Sequence, residues 1–236
     1  MTAPPRYAIY YAPEPGSQLD RFGTQCLGYD AHSGEELPFP ADLTESLPDW
    51  REVSGEPRKY GFHATLKAPF FLASGTTEAA LIEACEGFAR TPRPIPLIRP
   101  VVDSIGGFIA VVPTEPVAEL TRLAADCVRD FDAYRAPLSD ADRARRQPAA
   151  LTPRQRDYLD RWGYPYVMEE FRFHMTLTGR LTAGRREIVL TMLGNSFSGL
   201  GLKQLAIDRI AVFRQDNPAA RFRVIGSVTL SAPRPA

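Results

Sequence analysis

The sequence predicts an α+β fold of two similar halves, with antiparallel sheets lining a central cleft and helices packed outside. Three observations predict it. Strand-like and helix-like segments alternate along the chain. A histidine-bearing strand, a helix and a strand pair occur in that order twice. The stretch between the copies is polar and rich in arginine. With 236 residues, 44% hydrophobic and 24% charged, the chain can bury a sizeable core. It reads as a single bilobal domain over 1–236.

Each element has a local signal. Arg6 to Ala12 is aromatic and β-branched between prolines, and predicts a strand. Residues 13 to 59 are rich in Pro, Gly, Asp and Glu, and read as long loops with short structured pieces. Gly61 to Leu72 begins as an alternating strand and meets a turn near Pro69. Thr77 to Arg90 carries Ala80, Leu81, Ala84, Cys85 and Phe88 at helical spacing. Ile95 to Val112 reads as two strands around Gly106-Gly107, a hairpin signal. Glu115 to Phe131 is a second amphipathic helix. From Asp132 to Tyr166 large apolar residues thin out and seven arginines appear. Within it, Thr152-Pro153-Arg154-Gln155 has the form of an N-cap, a proline at the first helical position and a capping-box glutamine. Strand patterning returns at Phe171 to Leu181. Arg185 to Phe197 reads as a third helix. Ala206 to Arg214 and Arg221 to Leu230 read as two closing strands around a turn at Asp216-Asn217-Pro218. The tail SAPRPA reads as frayed. Lobe one thus runs over about 13–131 with His63, a helical connector over about 132–166, and lobe two over about 167–230 with His174. The N-terminal strand is free to join the second lobe.

Composition narrows the function. Lys+Arg and Asp+Glu are 28 each, so a DNA-coating protein is not expected. No apolar run approaches a bilayer span, and the N-terminus has no apolar core of a signal peptide, so no membrane partner is expected. Cys26, Cys85 and Cys127 form no CxxC pair, which signals neither a disulfide framework nor a zinc site and suits a cytoplasmic setting.

The chemistry is carried by a repeated frame. Of three histidines, two occur as Phe62-His63-Ala64-Thr65-Leu66 and Phe173-His174-Met175-Thr176-Leu177, 174 − 63 = 111 residues apart. Chance produces the second match roughly once in a few thousand. On a strand, alternate residues share a face. His63, Thr65 and Lys67 then face one way; Arg172, His174, Thr176, Thr178 and Arg180 do so in the second copy. That set suits a phosphate ester. Displacement at phosphorus needs one proton taken and one given, and imidazole does either near neutral pH. The threonine hydroxyls can donate to non-bridging oxygens, while Lys67, Arg172 or Arg180 offset charge. The frame holds no carboxylate for a metal, so neither metal nor other cofactor is expected. Arg145-Arg146 can grip a second phosphate or form a solvated helix face. Tyr7, Tyr10 and Tyr11 read as packing residues, and His32, in a Gly/Ser-flanked loop, as a surface residue.

The two frames resemble the two-histidine phosphoesterase superfamily, defined by paired His-x-Thr-hydrophobic motifs. His63-Ala64-Thr65-Leu66 and His174-Met175-Thr176-Leu177 fit without departure. The resemblance implies a bilobal, pseudo-twofold α+β fold, a cleft between lobes, and metal-independent catalysis by His63, Thr65, His174 and Thr176. Longer strings, Tyr60 to Phe70, Phe131 to Leu138, Trp162 to Val167 and Phe171 to Gly179, resemble a bacterial branch encoded beside phosphonate-degradation genes. That branch implies a small cyclic phosphate as substrate, such as a phosphorylated ribose cyclic phosphate. The superfamily also implies alternatives: an RNA-end or nucleoside 2′,3′-cyclic phosphodiesterase, a 2′-5′ RNA ligase-like enzyme, or a non-catalytic binder of phosphorylated sugars or RNA ends.

Overall fold

The structure, a computed structural model, describes residues 4–146 and 148–233. Seven strands form one sheet in which every neighbouring pair is antiparallel. They are β1 (Arg6–Tyr11), β2 (Ala64–Phe71), β4 (Pro100–Ile105), β5 (Phe108–Pro113), β6 (Met175–Thr176), β8 (Arg209–Gln215) and β9 (Arg223–Thr229), in the order β4-β5-β6-β2-β1-β8-β9. Two short strands, β3 (Leu97–Ile98) and β7 (Leu205–Ala206), pair separately. The α+β class follows directly from this mixture of antiparallel sheet and helices.

Alternation along β1 sorts the two faces of the sheet. Tyr7, Ile9 and Tyr11 enter the main core, and Ala8 and Tyr10 a second cluster. The main core also takes Leu19, Phe22 and Leu27 from α1 (Gln18–Leu27), Leu81, Cys85 and Phe88 from α5 (Glu78–Arg90), Leu120, Leu123 and Cys127 from α6 (Ala118–Asp130), and Val189 and Leu193 from α9 (Ala183–Ser198). The helices therefore cover one face. On the other face Tyr29, Ala31, Tyr60 and Phe222 pack with Ala8 and Tyr10.

Several expectations need correction. Residues 13–59 hold a ten-residue helix, α1, with Ser17 as N-cap and Gly28 left-handed at its end, and three short helices, α2 (Ala41–Ser46), α3 (Trp50–Val53) and α4 (Gly55–Arg58). The prolines and glycines that suggested loop punctuate these helices. Strand β2 does not turn at Pro69 but runs on to Phe71, because Phe70 and Phe71 pair with Tyr7 and Arg6. The second histidine strand is far shorter than expected, two residues in place of eleven. The halves also exchange strands. Beside β2 lie β1, β8 and β9, with α5 packed on β8 and β9, whereas β6 lies beside β5 and β4, with α9 packed on them. The sequence halves are thus not the spatial ones. In the tail, Ser231 is bonded through its N–H to Ala89 and through its carbonyl to Arg93, so it is not frayed. Arg234 to Ala236 lie outside the described residues.

The connector contains α7 (Asp140–Arg145), α8 (Pro153–Trp162) and two 3-10 turns. The Thr152–Gln155 capping box is present, with Pro153 opening α8. The connector begins as an extension of the sheet: Ala73 N–H donates to Tyr134 at 2.9 Å and Ala136 N–H to Phe71 at 2.8 Å.

Lys67 is where the face assignment fails. Tyr10 pairs with Thr65, but Ile9 pairs with Lys67, so the register slips by one and Leu66 and Lys67 share the core side. The Lys67 amine is buried, donating to the Val128 carbonyl at 2.9 Å and to Asp132 at 3.0 Å. Asp132 also receives Nε and Nη2 of Arg135, at 2.8 and 3.2 Å. Asp132→Ala strands a buried ammonium and should lower the unfolding free energy by about 3 kcal/mol in urea titrations. Adding Lys67→Met should recover part of that loss. A single variant as stable as the parent would reject this account.

Candidate active site

The only pairing between β2 and β6 is Ala64 with Met175. That one antiparallel match sets His63 opposite Thr176 and Thr65 opposite His174, all four on one face, with side chains of directly opposed residues about 5 Å apart. Ala64 and Met175 point the other way, into the core, and are fully buried. Two copies of one frame, paired head to tail, create a local twofold arrangement.

Each imidazole is oriented the same way. His63 Nδ1 lies 2.9 Å from the Gly61 carbonyl and His174 Nδ1 lies 2.7 Å from the Arg172 carbonyl, each two residues back. A carbonyl only accepts, so Nδ1 carries the proton and Nε2 is left for chemistry. His63 Nε2 lies 3.3 Å from Thr65 Oγ1. Gly61 has φ +75°, and a Cβ there would lie 2.6 Å from the Ala31 methyl. Glycine therefore lets the chain turn so that its carbonyl meets His63.

A chamber of about 390 Å³ opens over this centre. It is lined by His63, Thr65, His174 and Thr176, by Arg145 and Arg146 of the connector, and by Arg6, Tyr10, Tyr60, Arg135 and Tyr164. Arg145 pairs with Asp142. The Arg146 guanidinium sits 5.0 Å from the Tyr164 ring centre, and among the described residues no carboxylate reaches it. A second chamber of about 450 Å³ shares Thr65, Ala68, Tyr164 and His174 with the first. Arg172 and Arg180 line that second chamber, where Arg180 donates to the Gly106 carbonyl at 2.8 Å.

The structure thus brings together His63, Thr65, His174, Thr176, Arg145 and Arg146. It separates Lys67, buried on the core side, and Thr178, whose hydroxyl is buried against Gly179 and Ile109. His32 is not a plain surface residue, since its Nε2 is enclosed without a hydrogen-bond partner among the described residues. The sequence reading missed Arg6, Arg135, Tyr60 and Tyr164, and took Tyr10 for packing. Tyr10 stacks on His63 with ring centres 3.8 Å apart and planes 22° from parallel. The alternation Ala8-Tyr10-Ala12, one large ring among small residues on a strand face, was its only signal. Among the described residues no group of three or more His, Cys, Asp or Glu side chains could hold a metal ion, and no helix is long and apolar enough to cross a membrane.

A protein-family model matches residues 65–223, about two thirds of the chain. The chain belongs to the family described as a protein of unknown function, DUF1045. Two curated relatives are named ribose 1,5-bisphosphate phosphokinase PhnN. The one from Janthinobacterium sp. (strain Marseille) is 36% identical over 231 residues, covering 92% of this chain and 49% of its own length. The one from Laribacter hongkongensis (strain HLHK9) is 33% identical over 226 residues, covering 95% and 52%. The chain spans about half the length of these relatives. Among solved structures, a conserved protein of unknown function from Agrobacterium tumefaciens str. C58 aligns over 97% of this chain and 86% of its own, at 12% identity and a TM-score of 0.46.

Electrostatics set the resting state. Burial pushes His63 down to about 4; the Gly61 hydrogen bond opposes this and His174 adds to it. Burial also lowers His174, against the Arg172 carbonyl. Both imidazoles are neutral at pH 7. Between pH 6.5 and about 4, the unfolded chain binds a proton that folded His63 refuses. Stability is therefore full above pH 6.5 and falls as the pH drops through that window, by up to about 3 kcal/mol from this group. His63→Gln, neutral throughout, should flatten that part of the decline in melting temperature. Parallel pH profiles for variant and parent would contradict it.

Proposed function

We propose that the chain is a metal-independent phosphodiesterase of the two-histidine type, opening a small cyclic phosphate. The observation that carries this is the cross-strand set His63, Thr65, His174 and Thr176 on one sheet face, beneath a chamber walled by Arg145 and Arg146. An anionic phosphate entering that chamber favours protonation of one imidazole. The neutral imidazole takes a proton from water as its oxygen bonds to phosphorus. The protonated one gives its proton to the departing ester oxygen. Thr65 and Thr176 donate to the non-bridging oxygens.

The substrate we favour is a phosphorylated ribose cyclic phosphate. The relatives' name contains ribose 1,5-bisphosphate, a ribose bearing two phosphates. Opening a 1,2-cyclic phosphate of ribose 5-phosphate at the 2-oxygen yields that compound. This half would then supply what the phosphokinase named in the double-length relatives consumes, in the setting of phosphonate breakdown. In this reading Arg145 and Arg146, which line the same chamber as the two histidines, hold the 5-phosphate while the histidines hold the cyclic one. A nucleoside 2′,3′-cyclic phosphate is the second reading, favoured by the Tyr60 and Tyr164 rings in the wall.

Turnover assays with both substrate classes test this. His63→Ala and His174→Ala should each lower kcat at least about a hundredfold, and the double variant should lose little more than the worse single one. The rate should be bell-shaped in pH, with limbs belonging to the pair. A His174→Ala enzyme with near-normal turnover removes the two-histidine mechanism. Ligand-induced stabilisation without product would make the chain a binding protein.

Two further outcomes are expected. Activity should survive EDTA, since the charge partners are arginines; loss restored by a divalent ion rejects the mechanism. Replacing Arg145 and Arg146 together with Ala should raise KM more for the substrate with an extra phosphate than for one without it. Equal effects would reduce the pair to solvated surface.

A further inference from the structure

The second chamber exists because strand pairing fails. Continued in register, Leu66 and Ala68 of β2 would face Phe173 and Phe171, yet β6 begins only at Met175 and pairing stops at Ala64. The strands splay there and the gap opens through to α6. Its walls include Ile105, Phe108, Val128, Val167, Met168 and Phe171. At its margins Gln155 donates to Glu170 at 2.9 Å and Arg180 to Gly106 at 2.8 Å, and Arg172 is exposed. Met168 has φ +54°, the one non-glycine residue among those described in the left-handed region. Such strain persists where surrounding packing holds a residue in place, often at a ligand site.

The two histidines relate to this chamber differently. His174 and Thr65 line both chambers, whereas His63 lines only the arginine-walled one. His63 is covered on one side by Tyr10, with Phe213 5.9 Å away. His174 has Phe108 at 5.6 Å, a ring of the second chamber. An ester oxygen whose substituent lies in the second chamber has His174 as its imidazole.

We propose that the second chamber takes the alcohol of an acyclic phosphodiester, an aromatic or bulky apolar one, and that His174 gives that alcohol its proton while His63 takes the proton of the attacking water. This further activity rests on the phosphodiesterase reading above. The step is hydrolysis: the water oxygen bonds to phosphorus, the bond from phosphorus to the alcohol oxygen breaks with its electron pair on oxygen, and that oxygen receives the His174 proton. The products are a phosphate monoester and the free alcohol. Burial keeps His63 unprotonated at neutral pH, the form a base needs.

Methyl phenyl phosphate and methyl p-nitrophenyl phosphate test the proposal, alongside the cyclic phosphate. The wild type should release phenol and methyl phosphate. p-Nitrophenolate departs without help, whereas the more basic phenolate needs a proton. His174→Ala and His174→Asn should therefore lose at least about a hundredfold on the phenyl ester and stay within about tenfold of wild type on the p-nitrophenyl ester. His63→Ala should lose alike on both. Phe171→Ala should raise KM for the phenyl ester several-fold. A wild type active on the cyclic phosphate but on neither aryl ester overturns this inference and leaves the proposed function standing. Loss on both esters in both His174 variants, or sparing in His63→Ala, overturns the acid assignment. Inactivity on all three substrates sinks the proposed function and this inference with it.

Discussion

The single antiparallel match of Ala64 with Met175 is the contact on which everything else depends. It joins the β4-β5-β6 side of the sheet to the β2-β1-β8-β9 side. It puts two small or flexible apolar side chains into the core and, by alternation alone, turns both histidines and both threonines outward. A shift of one residue would send His63 or His174 into the helix-packed face and abolish the shared centre. One ladder pair is weak, so the register is held from elsewhere. β1 pins β2 along its length, β5 pins β6 at Ala110 and Val111, and Gly179 N–H donates to Val53 at 2.7 Å.

The strand exchange between halves follows from the same constraint. A two-residue β6 cannot bury its own apolar side. It borrows β5, whose Ile109, Ala110 and Val111 are fully buried, and α9 packs across β4 and β5. On the other side, β8 supplies Phe213, which backs the Tyr10 ring that stacks on His63. Each half of the sequence thus builds the floor beneath the other half's histidine, so neither half alone presents a complete site.

Much of this was legible because it is local. The His-x-Thr frames, the hairpin at Gly106-Gly107 and the Thr152 capping box each fit within a few residues, and backbone periodicity then gives the face. What was hidden is set by distant chain. The slip that turns Lys67 into the core depends on how β1 lies beside β2, and nothing within Gly61 to Leu72 announces it. Phe171 to Leu181 alternates well enough to be a strand, but its neighbour at that position, β2, diverges. Tyr10 looks like its neighbours Tyr7 and Tyr11 until the sheet places it under His63. Arg135 reads as one of seven connector arginines, and only Asp132 and the Lys67 amine single it out.

Burying two histidines beside each other works against stability in acid, and that conflict is informative. Desolvation favours the neutral form of each, and mutual repulsion disfavours a doubly protonated pair. At neutral pH both imidazoles are uncharged, so the pair offers bases and no acid. In the proposed reaction a phosphate anion would change the balance, because its charge would offset the desolvation of one imidazolium but not of two. The connector arginines that line the chamber would act in the opposite direction, drawing the anion in while disfavouring further positive charge. Surroundings that differ, a stacked ring over His63 and a second chamber beside His174, would then decide which imidazole takes the proton in the proposed reaction. The symmetry of the sequence motifs is broken by what the fold packs around them, and catalysis by an acid and a base requires that break.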